Sequence, residues 1–407
     1  MSEFVFFTTN DFELTDGGTI RMNGILEALI EHGHTVTLIS NIKDIANSIV
    51  GVRHIPLDIQ FSKFQRRLIM LFISIFPFAL NRFFLFPYLH RLKQFFAVNN
   101  QFKGIIFFEY FDNCAAYILK NLNIIRSSTL DVHGVADLEF QFKPDASLVQ
   151  KIVSKLKLAS SILLDRKVFG SADKIIALNE VFRDYFLGKY DFLSPENFLI
   201  VDDGLTMEYY KQRVDNVLFD TLRSKYDIND KTFVVVFAGS FKSFGGVPDL
   251  VNAFIAFSKS AENTALVLVG GGEDEDQVKS IVDSSGLKNI HLVGRTKYGV
   301  LRTYFELADV IVCPDRKHPY SDMIVHTKYY EALASGKIVI NGDFPSTRLV
   351  NQNDILSLSF EPSSVDDLEK KIRYAYQNFA QLSIRYAVNR EAVFDQFSYI
   401  NTVKGLL

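Results

Sequence analysis

Short apolar runs alternate with helical patterns along most of this sequence, and the alternation limits the folds that are open to it. The first run, EFVFFTT at 3–9, precedes a loop with two glycines, a helical pattern and a second run, HTVTLIS at 34–40. Parallel strands need a long crossover connection, which is usually a helix. The repeated order of strand, helix and strand therefore predicts an α/β protein with parallel sheets.

The alternation comes in two series of similar length, separated by a polar stretch after VDDGL at 201–205. A chain of 407 residues is also too long for one ordinary core. We therefore predict two facing Rossmann-like domains with an interdomain cleft, in which ligands bind at the carboxyl ends of the strands. The N-terminal domain is predicted over 1–204 and the C-terminal domain over 205–384, with a helix at about 385–407 completing the first domain. The other candidate strands lie at 104–109, 128–133, 174–179 and 197–203, and at 232–240, 264–272, 290–295, 309–314 and 338–341.

Composition excludes several classes of protein. A net charge of −3 with 22% charged residues does not favour a nucleic-acid binder that depends on bulk basic charge. Two cysteines, Cys114 and Cys313, cannot build a disulfide framework and indicate a reducing compartment. The N-terminus lacks the basic and long apolar segments of a signal peptide, so we expect a cytoplasmic protein.

The segment from Ile59 to Phe108 differs from the rest of the chain because it contains no Asp or Glu, yet holds seven Lys and Arg and thirteen phenylalanines. Its longest apolar run, 68–80, is too short for a spanning helix and contains Pro77. Basic residues around an aromatic stretch are typical of a segment lying on an anionic membrane, and a buried helical pair with a basic rim is the alternative. The residues predicted to contact a membrane or acceptor are Arg66, Arg67, Phe72, Phe76 and Arg82.

Three loops follow candidate strands and could bind an anion or a sugar. Gly17 and Gly18 open a helix, whose N-terminus stabilises anions. AGSFKSFGG at 238–246 offers donors from Ser240 and Lys242, and His133 ends a strand before a glycine. Each also fits an ordinary turn or a loop histidine, and the glycine spacing does not match G-x-G-x-x-G.

The D-x-D pattern formed by Asp274 and Asp276 could hold a divalent cation. It falls in the first turn of a predicted helix, however, where acids interact favourably with the helix dipole. We therefore predict no metal site here.

The segment SDMIVHTKYYEALASGK at 321–337 predicts a short helix between two strands. Thr327 is the predicted N-cap and Gly336 the predicted C′ residue. Lys328 and Glu331 would then lie on one side of the first turns, where a diphosphate and ribose hydroxyls could bind. The alternative is a weak surface ion pair between the two, three residues apart.

Taken together, these motifs resemble the GT-B glycosyltransferases of family four, which are retaining enzymes that use nucleotide sugars. DGGTIRMNGILEALIEHGHTVTLIS resembles the family's Gly-Gly loop, first helix and second strand. FAGSFKSFGGVPDLVNAF, LVLVGGGED, IHLVGR and YFELADVIVCP follow in the family's order, and HTKYYEALASGKIVI resembles the P-x-K-x-x-E subset.

The resemblance implies roles for the matched positions. Lys242 and Lys328 would balance the leaving diphosphate, and Glu331 would hold the ribose. His133 would contact the donor sugar and stabilise developing positive charge through its carbonyl or ring. The predicted catalytic residues are therefore His133, Lys242 and Lys328, and the predicted donor-binding residues are Gly17, Gly18, Ser240, Arg295, Asp322, His326, Thr327 and Glu331.

The chain departs from the family pattern at three positions. Ser240 and Gly245 stand where many members have Arg and Lys, and Met323 stands where many have a first glutamate, for which Asp322 could substitute. The sequence still predicts transfer of a sugar from a nucleoside diphosphate sugar to a hydroxyl of a lipid-linked or polysaccharide acceptor. It predicts neither metal nor cofactor, and a peripheral location at the inner face of the cell membrane. The alternatives are an epimerase or phosphorylase on the same scaffold, or a non-catalytic membrane scaffold.

Overall fold

The computed structural model describes residues 2–9, 17–41, 50–135, 138, 148–352 and 354–407. The chain forms two compact units. The first contains Met1–Asp202 and Tyr399–Leu407, and the second contains Asp203–Ser398. The return to the first unit thus begins at Tyr399, later than the predicted position near residue 385.

The first unit is built on a parallel sheet, for which seven strands lie among the described residues in the order β3-β2-β1-β4-β5-β6-β7. The order reverses between β1 and β4, which pair directly. Strand residues such as Phe6 and Phe7 are fully buried, as expected for a parallel sheet covered on both faces. The strands are β1 (Glu3–Thr8), β2 (Thr35–Ser40), β3 (Val52–Pro56), β4 (Gly104–Phe107), β5 (Ser127–Asp131), β6 (Lys174–Ala177) and β7 (Phe198–Ile200).

Helices connect these strands, and the C-terminal tail packs on the first helix. A Cβ added at Gly24 would lie 2.0 Å from the ring of Tyr399, so this glycine is what lets the tail pack against the first helix. The helices of the first unit are α1 (Gly17–Glu31), α2 (Lys63–Ile75), α3 (Phe78–Phe84), α4 (Phe86–Val98), α5 (Asp112–Asn121), α6 (Leu148–Ser171) and α7 (Glu180–Lys189), with the tail helix Tyr399–Thr402.

The acid-free segment folds as α2, α3 and α4. Ser62 and Gln65 form a capping box at the start of α2. Pro77 separates α2 from α3, since a proline inside a helix removes a backbone hydrogen bond. Within the described ranges, no helix is both long enough and apolar enough to cross a membrane.

The second unit repeats the plan with a parallel sheet, for which the described residues give the strand order β10-β9-β8-β11-β12-β13. The order reverses between β8 and β11, which pair directly. Its strands are β8 (Phe233–Ser240), β9 (Thr264–Gly271), β10 (Ile290–Gly294), β11 (Val310–Cys313), β12 (Ile338–Gly342) and β13 (Leu358–Phe360). Its helices are α8 (Met207–Lys211), α9 (Asn216–Lys225), α10 (Val247–Ser258), α11 (Glu275–Ser285), α12 (Leu301–Leu307), α13 (Pro319–Met323), α14 (Thr327–Ala334), α15 (Pro345–Asn351), α16 (Val365–Gln377), α17 (Phe379–Ala387) and α18 (Asn389–Phe397).

Both units are therefore Rossmann-like, with parallel sheets and an order that reverses once, and this part of the predicted fold class is confirmed. The burial of apolar side chains explains why the chain returns to the first unit later than predicted. Val393 on α18 is fully buried in the core of the second unit, whereas Tyr399 and Val403 are buried in the core of the first. The apolar residues thus assign α17 and α18 to the second unit.

Candidate functional site

The point at which the strand order of the second unit reverses brings several predicted residues together. β8 ends at Ser240 and β11 ends at Cys313. Open α/β sheets bind ligands at the carboxyl ends of strands at such a point. The helix that carries Lys328 and Glu331, α14, also begins here, because it follows β11 and α13.

Lys328 lies against the end of β8 and pairs with an acid that follows β11. Its Nζ is 2.8 Å from Oδ1 of Asp315 and 5.4 Å from the centre of the Phe237 ring. A Cβ at Gly239 would lie 3.4 Å from Lys328 Cδ. Both members of the pair are largely buried, with 17% and 7% of their side chains exposed, so the position of the ammonium group is fixed.

Glu331 has a separate partner. Its Oε1 accepts a hydrogen bond of 2.6 Å from the hydroxyl of Tyr298, and its backbone carbonyl accepts one from Tyr209. Burial raises the pKa of Glu331 to about 7, although the hydrogen bond from Tyr298 acts in the opposite direction. The protein therefore keeps an acid that is difficult to ionise at this position.

The alternative interpretation, a surface ion pair between Lys328 and Glu331, is wrong, because each side chain binds another partner. The predicted N-cap is also wrong by one residue. His326 is the N-cap, with an extended backbone and no capping hydrogen bond from its side chain, and Thr327 is the first helical residue. Gly336 follows the C-cap Ser335 with a φ of 74°, which confirms the predicted C′ residue.

His326 is influenced by the charges of the two predicted lysines. Burial, together with the positive charges of Lys328 and Lys242, lowers the pKa of His326 to about 4, despite the nearby charge of Asp315. Its ring stacks on Phe244 at 6.2 Å, and the Nζ of Lys242 lies 5.3 Å from the centre of that same phenylalanine ring. The imidazole is therefore neutral at pH 7.

The loop after β8 is clamped to the loop after β11. The guanidinium of Arg316 donates two hydrogen bonds, of 2.7 and 2.8 Å, to Asp249 and a third to the carbonyl of Ser243. Gly246 has a φ of 63°, and a Cβ there would lie 1.9 Å from the carbonyl oxygen of Pro314. The loop that carries Ser240 and Lys242 is thus held in place without a ligand.

Other predicted site residues are exposed or line a separate surface pocket. Ser240, Lys242 and Arg295 are exposed. Asp322 is half-buried and lines a surface pocket with Arg348 and Asp343. Met323 is buried.

The D-x-D acids lie at the start of α11. Asp274 is its N-cap and Asp276 lies in its first turn. In the part of the chain that the structure describes, no group of three or more His, Cys, Asp or Glu has the arrangement of a metal site.

In the first unit, His133 belongs to a partly buried charge network. Its Nδ1 is 3.0 Å from Oδ2 of Asp131, and its Nε2 is 3.7 Å from Glu109. Arg21 on α1 binds Asp131 through two hydrogen bonds and donates a third to the carbonyl of Val201. These groups lie at the carboxyl ends of β4 and β5.

Burial alone would lower the pKa of His133, but the hydrogen bond to Asp131 and the charges of Glu109 and Asp131 raise it to about 9. Burial likewise acts to raise the pKa of Asp131, and the charge of Arg21 with the bond to His133 lowers it. The His133 ring is therefore cationic at pH 7. The resemblance assigns the stabilisation of a developing positive charge to either the ring or the backbone carbonyl of His133. A cationic ring would repel that charge, so only the carbonyl is suited to this role.

Sequence reasoning missed Asp315, Tyr298 and Arg21. Asp315 could have been found, because it directly follows the apolar run of β11 and so lies at a strand's carboxyl end. Tyr298 and Arg21 carry no comparable signal.

The glycine loop is described only from Gly17, the first residue of α1, because residues 10–16 lie outside the described ranges. Gly17 is exposed, and a Cβ there would meet no atom within 4 Å. Gly18 is half-buried.

The residues predicted to contact a membrane have different settings. Arg66 is half-buried and donates a 2.7 Å hydrogen bond to the carbonyl of Thr9. Phe72 and Phe76 are half-buried and stack on Phe84. Arg67 and Arg82 are exposed. The large apolar side chains that these three helices expose are Phe64, Leu71, Ile75, Leu80, Phe83, Phe84, Phe86 and Val98.

Part of the chain is similar to a family of known proteins. Residues 219–387 match the model of the family described as glycosyl transferases group 1. The chain is 26% identical over 188 residues to alpha-monoglucosyldiacylglycerol synthase of Acholeplasma laidlawii, covering 44% of this chain and 42% of that protein. It is 26% identical over 150 residues to lipopolysaccharide 1,2-N-acetylglucosaminetransferase of Salmonella typhimurium, covering 35% and 37%. The matches thus span less than half the length of either relative.

Solved structures are similar over the whole chain. Sucrose-phosphate synthase of Thermosynechococcus elongatus has a TM-score of 0.72 at 16% identity, covering 100% of this chain and 97% of that one. Anabaena HepE in complex with UDP has a TM-score of 0.68 at 11% identity, covering 100% and 98%. The predicted GT-B fold is thereby confirmed. The family match lies within the second unit, and the predicted transferase class is confirmed.

Proposed function

We propose that this protein transfers a sugar, with retention of configuration, from a nucleoside diphosphate sugar to a hydroxyl group of a lipid-linked or polysaccharide acceptor. The observation that carries the proposal is the arrangement around α14. Lys328 and Glu331 lie near the carboxyl ends of β8 and β11, and each is fixed by its own partner. Preorganised groups of this kind bind a ligand without a large cost of ordering.

In this proposal, the second unit binds the donor. Lys328, Lys242 and the N-terminus of α14 stabilise the negative charge that develops on the leaving diphosphate. Glu331 accepts hydrogen bonds from the ribose hydroxyls, while Tyr298 keeps its carboxylate oriented. His326 stays neutral and adds no further charge.

The acceptor hydroxyl attacks the anomeric carbon from the face that the diphosphate leaves. The bond from that carbon to the diphosphate oxygen breaks, and a diphosphate oxygen takes the acceptor proton. The His133 carbonyl is the proposed stabiliser of positive charge on the sugar. The buried pair of Arg21 and Asp131 is then a positioning device that holds His133 at the end of β5.

The acceptor proposal has two sources of support. The two curated relatives described above are named for the synthesis of a glucosyldiacylglycerol and for lipopolysaccharide. The exposed phenylalanines of α2, α3 and α4 lie in a segment without acids, which suits the surface of an anionic membrane. We propose a peripheral location at the inner face of the cell membrane on these grounds.

Donor binding is tested by calorimetry with UDP, GDP and ADP, followed by release of the diphosphate from the matching sugar nucleotides in the presence of lipid acceptors. Lys328→Met should lower affinity for the preferred nucleotide about 10- to 100-fold, because a charge-assisted hydrogen bond is lost. Lys288→Met, an exposed lysine elsewhere in the second unit, is the matched control. Unchanged binding and turnover in Lys328→Met would refute the site, and binding without turnover in the unmodified protein would favour a non-catalytic scaffold.

Membrane binding is tested by flotation with vesicles of phosphatidylcholine, with and without phosphatidylglycerol. Phe83→Ser and Phe86→Ser, which remove side chains that are 69% and 64% exposed, should reduce flotation with the anionic vesicles. Val217→Ser on α9, where the side chain is 79% exposed, should leave flotation unchanged. Flotation that does not depend on phosphatidylglycerol would refute this location.

A further inference from the structure

A groove of about 700 Å³ lies in the first unit, apart from every residue assigned above. One wall is formed by Pro56, the last residue of β3, and by the turn that follows it as far as Gln60. The other wall is a face of α4 that carries Arg91, Gln94 and Phe95. A volume of this size is within the range of small-molecule sites. Because the turn follows β3, the groove is at the carboxyl edge of the sheet, two strands from β1, where the strand order reverses.

The turn is fixed before any ligand binds. The backbone N–H of Leu57 donates to the carbonyl of Ser40, and the N–H of Ile59 donates to the side chain of Asn41. The Leu57 and Ile59 side chains are each only 3% exposed. Between them, Asp58 has a φ of 53°, in the left-handed region, which presents its side chain to the surface.

Four polar side chains line the groove without using their hydrogen-bonding capacity inside the protein. Within the described ranges, Asp58, Gln60, Arg91 and Gln94 make no side-chain hydrogen bond and no ion pair. An apolar surface from Phe95 lies beside them. A fixed groove with unused donors, acceptors and one cation is suited to recognise a polar ligand.

The chemistry of these groups defines the class of ligand. A guanidinium binds the oxygens of a phosphate group in a bidentate manner. The amides of Gln60 and Gln94 and the carboxylate of Asp58 can pair with several hydroxyls, and the carboxylate excludes a second phosphate beside it. We propose that the groove binds a hydroxyl-rich phosphate monoester or diester, as the head group of the acceptor or of a lipid beside it.

The position of the groove supports this role, which rests on the proposed function. β3 lies two strands from β1, so the groove is about 10 Å from the end of β1, at 4.8 Å per strand. α4 also exposes Phe86 and His90, whose rings stack on each other, so the groove adjoins the aromatic surface proposed to meet the membrane. A lipid held at that surface could therefore place its head group in the groove.

The test uses the full chain and two probes. Titration with glucose 6-phosphate measures binding of a soluble phosphate ester, with glucose and inorganic phosphate as comparisons. Flotation with phosphatidylcholine vesicles that carry either phosphatidylinositol or phosphatidylserine, at equal charge, measures selection of a hydroxyl-rich lipid head group. The variant is Arg91→Gln, and its matched control is Lys93→Gln, which removes an exposed charge from the same helix outside the groove.

Arg91→Gln should weaken binding of glucose 6-phosphate at least tenfold, or abolish the preference for phosphatidylinositol, while Lys93→Gln should do neither. An effect of Arg91→Gln on the titration with glucose 6-phosphate identifies a soluble ligand. An effect on flotation with phosphatidylinositol identifies a lipid head group. Equal losses in both variants would overturn the proposal, because only general charge would then matter. The proposal would also be overturned if binding in neither arm depended on Arg91. Affinity for nucleoside diphosphate should stay unchanged in Arg91→Gln, so failure of the groove is distinguishable from failure of the donor site.

Discussion

Glu331→Gln should stabilise the protein at high pH and weaken donor binding at the same time. Glu331 is 4% exposed, and its pKa is raised to about 7 from 4.5. Folding therefore favours the protonated acid. Above pH 7 the folded protein must hold a buried carboxylate, and a rise in pKa of this size costs about 3 kcal/mol of unfolding free energy.

The sign follows from proton binding. Between pH 4.5 and 7 the folded state binds a proton that the unfolded state has lost, so the unfolding free energy falls as the pH rises. Glutamine carries no charge at any pH, and its carbonyl oxygen can still accept the hydrogen bond from Tyr298. Glu331→Gln should thus gain about 3 kcal/mol over the unmodified protein at pH 8 and less than about 1 kcal/mol at pH 5.

Unfolding in urea is measured at both pH values. Circular dichroism monitors it, because the chain has no tryptophan. Glu262→Gln, an exposed glutamate without a partner among the described residues, is the control and should show no difference between pH 5 and pH 8. Calorimetry with the preferred nucleoside diphosphate should show weaker binding by Glu331→Gln. The reasoning about burial would be refuted if Glu331→Gln gained the same unfolding free energy at both pH values, or gained none at pH 8.

Three further results are expected. Arg21→Met should lower the unfolding free energy by about 3–5 kcal/mol, because Asp131 would be left as an unpaired buried charge, and adding Asp131→Asn should recover part of that loss in the same urea assay. The raised pKa of His133 should stabilise the fold fully below pH 6.5, and this contribution should disappear as the pH rises through about 9; His133→Asn should flatten that part of the stability profile. Tyr298→Phe removes the hydrogen bond that favours ionised Glu331, so nucleotide affinity at pH 7 should fall and should recover at pH 9, and an unchanged pH profile would contradict this role.

The order of strands and helices was accessible from the sequence because it depends on local periodicity. Apolar runs such as that of β8 are continuous where a strand is buried on both faces, and glycines mark the turns after them. The loops predicted to bind a ligand therefore fell at the carboxyl ends of strands. The boundaries of elements depend on contacts beyond the local pattern: an extended His326 caps α14 in place of Thr327, and the chain returns to the first unit only at Tyr399.

The partners of the site residues were not accessible, because they come from distant parts of the chain. Tyr298 lies 33 residues from Glu331, and Arg21 lies 110 residues from Asp131. No periodicity links such positions; only the packed fold brings them together. For the same reason, Lys328 and Glu331 could be placed on one helix but their separate partners could not be foreseen.

The ion pair between Lys328 and Asp315 limits the positive charge that is left to bind a diphosphate. Ser240 and Gly245 are uncharged and stand where many members of the family have Arg and Lys. The charge of Lys328 is already balanced by that of Asp315. Lys242 is exposed and, within the described ranges, has a ring contact but neither hydrogen bond nor ion pair. Its charge is therefore available to a diphosphate without breaking a hydrogen bond or an ion pair. In the proposed donor site, we expect Lys328 and the helix N-terminus to position that group and Lys242 to supply most of the neutralisation.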